Sequence, residues 1–149
     1  MDEQASRRDF VKTLALSSMA LGMGCGSLLK KKPPNVVIVF LDDSGWADFR
    51  PFADQGYPTP NVKQLAGEGC CFHQFYVPQA ICSASRASLL TGCYPGRTNV
   101  FGAHAPRQRG LDPKFATIGE LFKKRGYKTA VFGKWHVGDQ PETRPLARG

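Results

Sequence analysis

Six consecutive apolar residues, Val36-Val37-Ile38-Val39-Phe40-Leu41, limit the architecture of this chain more than any other stretch. Neighbouring side chains on a strand point to opposite faces, so a half-buried strand alternates apolar and polar residues. A run without alternation reads as a strand buried on both faces. β-Branched Val and Ile, which favour extended backbone, fill its first part. Sheets covered on both faces are parallel sheets with helices above and below, so the run predicts an α/β fold. Tyr127 to Phe132 reads as a second buried strand, and Cys71 to Val77, with its aromatics, is strand-like. Asp42 and Asp43 follow the first run directly, at the carboxyl end where open α/β sheets collect their ligands. Two acids there either cap the next turn or hold a hard, oxygen-seeking cation.

The most reactive position lies in Ile81-Cys82-Ser83-Ala84-Ser85-Arg86-Ala87-Ser88-Leu89-Leu90-Thr91-Gly92. Small, helix-compatible residues run from Cys82 to a glycine suited to stop a helix, which predicts a helix with Cys82 near its N-terminus. Unpaired backbone N–H groups and the positive end of the helix dipole favour negative charge there. Arg86, four residues on, adds a guanidinium beside Cys82. Taken alone, a cysteine in such a place is as well read as a buried thiol or half of a disulfide.

Elsewhere the signals are mostly local. Val62 to Gly67 reads as a short helix after Pro60-Asn61. His73 reads as a packed or surface histidine. Cys93 to Gly110, rich in Gly, Pro and Arg, reads as a long loop in which His104, Arg107 and Arg109 either line a site or are solvated. Thr117 and Glu120 form a capping box for a helix from Ile118 to Arg125, which ends at Gly126 with basic residues in its last turn. Gly133-Lys134-Trp135-His136 closes the second apolar run. In an extended segment Lys134 and His136 would face together and Trp135 the other way.

Composition excludes several classes. The 149 residues suffice for one modest domain, and 42% hydrophobic content is that of a globular chain. Net charge is +8, to which residues 1–32 contribute six basic against three acidic residues. No dense Lys/Arg run interleaved with aromatics appears, which argues against nucleic-acid binding; anionic substrates suit the same charge. The five cysteines, Cys25, Cys70, Cys71, Cys82 and Cys93, contain no Cys-x-x-Cys pair and no histidines at zinc spacing. Cys70 and Cys71 are adjacent, and a bridge between neighbours is strained, so each reads as a core thiol or one free to pair elsewhere.

The string Cys82-x-Ala84-x-Arg86, followed by Leu89-Leu90-Thr91-Gly92, resembles the signature of the sulfatase family, in which this cysteine is oxidised to formylglycine. Thr59-Pro60-Asn61 with Leu65-Ala66 before it, and Tyr94-Pro95-Gly96-Arg97 after it, resemble the family's neighbouring segments. Pro34-Asn35 through Asp42-Asp43-Ser44-Gly45-Trp46 resembles its first strand, and Gly133-Lys134-Trp135-His136 its Gly-Lys-Trp-His motif. Many members carry Pro where Ala84 stands, which leaves open which maturation enzyme acts. The resemblance runs from about Pro33 to Gly138.

It implies an alkaline-phosphatase-like α/β sandwich, N-terminal portion only, and a calcium-dependent hydrolase of sulfate esters, either sulfated sugars or aryl sulfates. In that reading Asp42, Asp43 and the modified Cys82 hold Ca2+, Arg86 steadies the aldehyde hydrate, Lys134 binds sulfate and His136 orients the nucleophile. A hydrated aldehyde carries two hydroxyls on one carbon, so one attacks sulfur and the other, once deprotonated, expels sulfate. Family members are several times longer, and their second half supplies a further Asp-Asn metal pair, a lysine and a histidine. Thirteen residues follow His136 here. The expectation is an N-terminal fragment whose own turnover is weak. Two rivals remain: a phosphonate or phosphodiester hydrolase of the same superfamily, and a catalytically inert exported binding module with an unmodified thiol at Cys82.

Ser6-Arg7-Arg8-Asp9-Phe10-Val11-Lys12 precedes an apolar, small-residue run, Thr13 to Gly24, too short to span a bilayer and suited to a signal-peptide core. The arginine pair resembles a twin-arginine export signal, whose machinery carries folded proteins; a basic surface helix is the alternative. Gly24-Cys25 also fits a lipoprotein cleavage point, with a lipid anchor on Cys25, although Gly22 stands where a leucine-like residue is usual. The expected division is therefore residues 1–32 as signal and linker, exported to the periplasm or beyond, and 33–149 as part of a catalytic domain.

Overall fold

The computed structural model describes residues 32–149, so the twin-arginine, signal-peptide and Cys25 readings lie outside the described residues. The chain divides into two compact units, Met1–Phe40 and Leu41–Gly149. In the first, residues 32–40 form neither helix nor strand.

The second unit is built on local signals. Helix α1 spans Pro60–Glu68, with proline in its first turn, where the missing N–H is not needed. Helix α2 spans Cys82–Thr91. It starts where Ile81 is extended (φ −136°, ψ 145°) and ends at Gly92, whose φ of 66° suits glycine and whose N–H donates to the Ser88 carbonyl at 2.8 Å. A short helix, α3, spans Pro95–Thr98, and α4 spans Ile118–Lys124 with Arg125 as its C-cap. The predicted capping box is present: Glu120 N–H donates to Thr117 Oγ1 at 3.2 Å, and Thr117 N–H donates to Glu120 Oε2 at 2.8 Å.

The predicted strands are absent. Among the described residues there is no β-strand, only an isolated parallel bridge between Phe49 and Tyr57. Val36 to Leu41, Cys71 to Val77 and Tyr127 to Phe132 are irregular, and Val37, Phe75 and Phe132 are exposed. A strand is a pairing relation. Apolar composition supplies the faces of a sheet, but the backbone N–H and C=O groups also need partner strands. The α/β sandwich is therefore not formed by these residues. Cys70 is likewise exposed and Cys71 only partly buried, both as free thiols, so neither is a core thiol. His73 is exposed, the surface alternative of its reading, and stands edge-on to Phe52 with ring centroids 5.5 Å apart.

A small core does form. Ala87 from α2 packs with Val100, Leu111 and Val137, all buried, and Leu90, Phe115 and Trp135 cover them. Leu111 N–H donates to the Val137 carbonyl at 2.8 Å, which draws the loop after α3 against the segment carrying Lys134 and His136. Glycine is required at that crossing: a Cβ on Gly110 would lie 2.6 Å from Gly138 Cα and 2.7 Å from the Val137 carbonyl oxygen.

Arg148 closes the other side of this core. Its guanidinium pairs with Glu120 at 2.9 Å and donates to the carbonyls of Leu111 at 2.9 Å and Phe115 at 2.5 Å. Thr117 Oγ1 donates to the Arg148 carbonyl. No sequence signal pointed to Arg148.

Candidate active site

Cys82 is the first residue of α2, as expected, and Ser83 and Ala84 behind it are fully buried. The Ala84 N–H, one of the donors a helix N-terminus leaves unpaired, reaches the Gly102 carbonyl at 3.2 Å. The Cys82 sulfur itself accepts from Lys134 Nζ at 3.2 Å.

Lys134 Nζ also donates to Asp42 Oδ2 at 2.7 Å, and Arg86 donates to Asp42 Oδ1 at 3.1 Å and to the Lys134 carbonyl at 2.6 Å. Asp42 is thus the hub. Arg86 reaches the site through this carboxylate and the lysine backbone, an arrangement the i, i+4 reading did not anticipate. The hydrogen bonds from Lys134, and next from Arg86, hold the Asp42 carboxyl below its usual range. Bonds to Asp42 and then Cys82 raise the Lys134 ammonium above its ordinary value. The signs define a window: Asp42's contribution to stability is present above the ordinary carboxylate range and is lost as pH falls through its depressed value. That of Lys134 is present below the ordinary lysine range and is lost as pH rises through its raised value.

Asp42, Asp43 and Cys82 each bring a ligand atom within 4.8 Å of the others. Asp43 adopts φ 57°, a left-handed conformation that Asp tolerates better than most residues. This donor set suits calcium on two conditions. Lys134 and Arg86 each occupy one Asp42 oxygen, but a carboxylate has about four lone-pair sites, so coordination remains open. A thiol sulfur is a soft donor and calcium takes oxygen, so the site becomes all-oxygen only once Cys82 carries an oxygen in place of sulfur.

Lys134 and His136 do not share one face in the simple way alternation predicts. Gly133 (φ 93°) and His136 (φ 56°) both break the extended backbone. Trp135 turns away as expected, donating from Nε1 to the Thr143 carbonyl at 2.8 Å. His136 Nε2 lies 3.0 Å from the His104 carbonyl oxygen. Of the three loop residues singled out, His104 therefore meets His136 through its backbone. Arg107 is held by its N–H to Asp139 at 2.8 Å, and the Arg109 guanidinium pairs with Asp112 at 3.1 Å.

A helix-opening cysteine and an ammonium bonded to the first acid of a pair, with the second acid close by, make a cluster suited to an anion and compatible with a metal. The sulfatase family model matches residues 34–145. Human arylsulfatase A is 42% identical over 127 residues, covering 84% of this chain and 25% of that protein. Human N-acetylgalactosamine-6-sulfatase is 36% identical over 135 residues, covering 85% and 26%. N-acetylgalactosamine-6-O-sulfatase of Bacteroides thetaiotaomicron is 34% identical over 134 residues, covering 85% and 26%. The chain belongs to the sulfatase family, and it spans about a quarter of the length of these curated relatives.

Proposed function

We propose that the protein hydrolyses a sulfate ester, on a sulfated sugar or an aryl group, using formylglycine made from Cys82 together with calcium. The observation that carries this reading is the single ammonium of Lys134 bridging Cys82 Sγ at 3.2 Å and Asp42 at 2.7 Å. It supports a site in which nucleophile, sulfate-binding cation and metal ligand share one point. Formylglycine supplies a carbon able to carry two hydroxyls, and calcium supplies positive charge beside it. Lys134 contacts the sulfate oxygens, Arg86 keeps Asp42 oriented and anionic, Asp42 and Asp43 hold the metal with residue 82, and His136 orients the nucleophile. The apolar runs at 36–41 and 127–132 serve as strands of the family's alkaline-phosphatase-like sandwich once paired.

Peptide mass spectrometry after expression with a formylglycine-generating enzyme should find an aldehyde at position 82, and a fully alkylatable Cys82 would refute the modification. Sulfate ester turnover exceeding phosphate ester turnover in the whole protein separates this reading from a phosphodiesterase of the same superfamily.

Export by the twin-arginine route belongs to the same proposal, on the sequence alone; among the described residues no helix is long and apolar enough to cross a membrane. Replacing Arg7 and Arg8 by lysine should leave the precursor in the cytoplasm, since the guanidinium pair and not its charge is read. Undiminished periplasmic appearance of that variant on fractionation would exclude the route.

A further inference from the structure

We infer that Ser83 and the turn at residues 102–104 are a positioning device for His136, fixing it in the tautomer that carries hydrogen on Nε2 and a free lone pair on Nδ1. The inference rests on the sulfatase reading only for its catalytic consequence. A backbone carbonyl can only accept, so His136 Nε2, 3.0 Å from the His104 oxygen, must be the donor. His136 Nδ1 is buried and has no hydrogen-bond partner among the described residues. A second N–H placed there would be an unsatisfied buried donor, which is unfavourable. The hydrogen bond therefore selects the tautomer with Nε2–H and leaves Nδ1 bare.

The carbonyl that sets this choice is itself held. His104 N–H donates to Ser83 Oγ at 2.9 Å, and Ser83 is fully buried. Two residues earlier the Gly102 carbonyl accepts from Ala84 N–H at 3.2 Å, while Gly102 N–H donates to Gln79 Oε1 at 3.3 Å. Three bonds thus tie the turn to the first turn of α2 and its approach, the same turn that carries Cys82. Residue 82 and the carbonyl that holds His136 are thus built on one frame, with Ser83 as the joint.

The test is nitrogen NMR of the full chain labelled with 15N in its imidazoles, His136 being assigned by loss of its signals in His136→Gln. The expected wild-type result is a pyrrole-type shift at Nε2 and a pyridine-type shift at Nδ1. Ser83→Ala should move both shifts toward the average of two tautomers. Gln79→Ala, at a partly buried position, should do so more weakly, and it serves if Ser83→Ala does not fold. In the whole protein with formylglycine verified, Ser83→Ala should lower kcat about tenfold with KM little changed, as expected for lost orientation. A hydrogen on Nδ1 in the wild type, or shifts unmoved in both folded variants, would overturn the device. Because the tautomer is read without turnover, an inactive protein that keeps Nε2–H supports the device while refuting the sulfatase reading.

Discussion

Asp42→Ala is expected to lower sulfate ester turnover by the whole protein about a thousand-fold or more and to remove high-affinity calcium binding. The carboxylate is shared by Lys134 at 2.7 Å and Arg86 at 3.1 Å and is one of two acids facing residue 82. In the proposed site its loss has three consequences. Calcium loses a hard anionic ligand. The Lys134 ammonium loses the partner that aims it at residue 82. The Arg86 guanidinium, only 11% exposed on its side chain, is left with its carboxylate removed. Losing one preorganised electrostatic contact typically costs about a hundred- to a thousand-fold, and two of these consequences act on the reacting centre.

Since Asp42 works through Lys134, the two should not behave independently. The double variant with Lys134→Ala is expected to be little worse than the poorer single one. Steady-state kinetics and calcium titration calorimetry measure both effects. Turnover within tenfold of wild type, with calcium affinity retained, would show that Asp42 is not the hub of the site.

Arg148→Met should cost about 3 kcal/mol of stability, seen as a fall in Tm of about 10 °C, with no residue of the candidate site touched. The guanidinium side chain is 1% exposed and every direction it faces is a bond: Glu120, the Leu111 carbonyl and the Phe115 carbonyl. Methionine fills much of the volume but leaves two carbonyls without their donor. Glu120 is 25% exposed on its side chain, so the ion pair itself contributes less than the two carbonyl bonds. Glu120→Gln should therefore be the milder change.

The pH response follows from the same contacts. Desolvation would raise the Glu120 carboxyl, but the bond from Arg148 and that from the Thr117 N–H outweigh it and leave it lowered. Its contribution is present above the ordinary carboxylate range and fades as pH falls through the depressed value. Thermal unfolding across that range checks the sign, and an unchanged Tm for Arg148→Met would refute the clamp.

The parts of the molecule legible in its residues are those whose causes are local. The capping box of Thr117 and Glu120 closes within one helical turn, and Gly92 ends α2 because a left-handed residue is needed at that point, so both helices stood in the sequence almost to their ends. Asp42, Asp43, Cys82, Arg86 and Lys134 could be named as candidates because they stand in short motifs that resemble those of the family. How they join could not. Lys134 meets Asp42 across 92 positions and Cys82 across 52, and Arg86 meets Asp42 across 44, separations over which a pattern says nothing about distance. The strands failed for a related reason. Val36 to Leu41 specifies a surface to be buried, while a strand also needs a neighbouring backbone, and that neighbour is set by tertiary pairing. Most hidden of all were contacts made to backbone carbonyls, those of His104 to His136 and of Leu111 and Phe115 to Arg148. Every residue carries a carbonyl, so residue type gives no hint of which one will matter; only the path of the folded chain decides it.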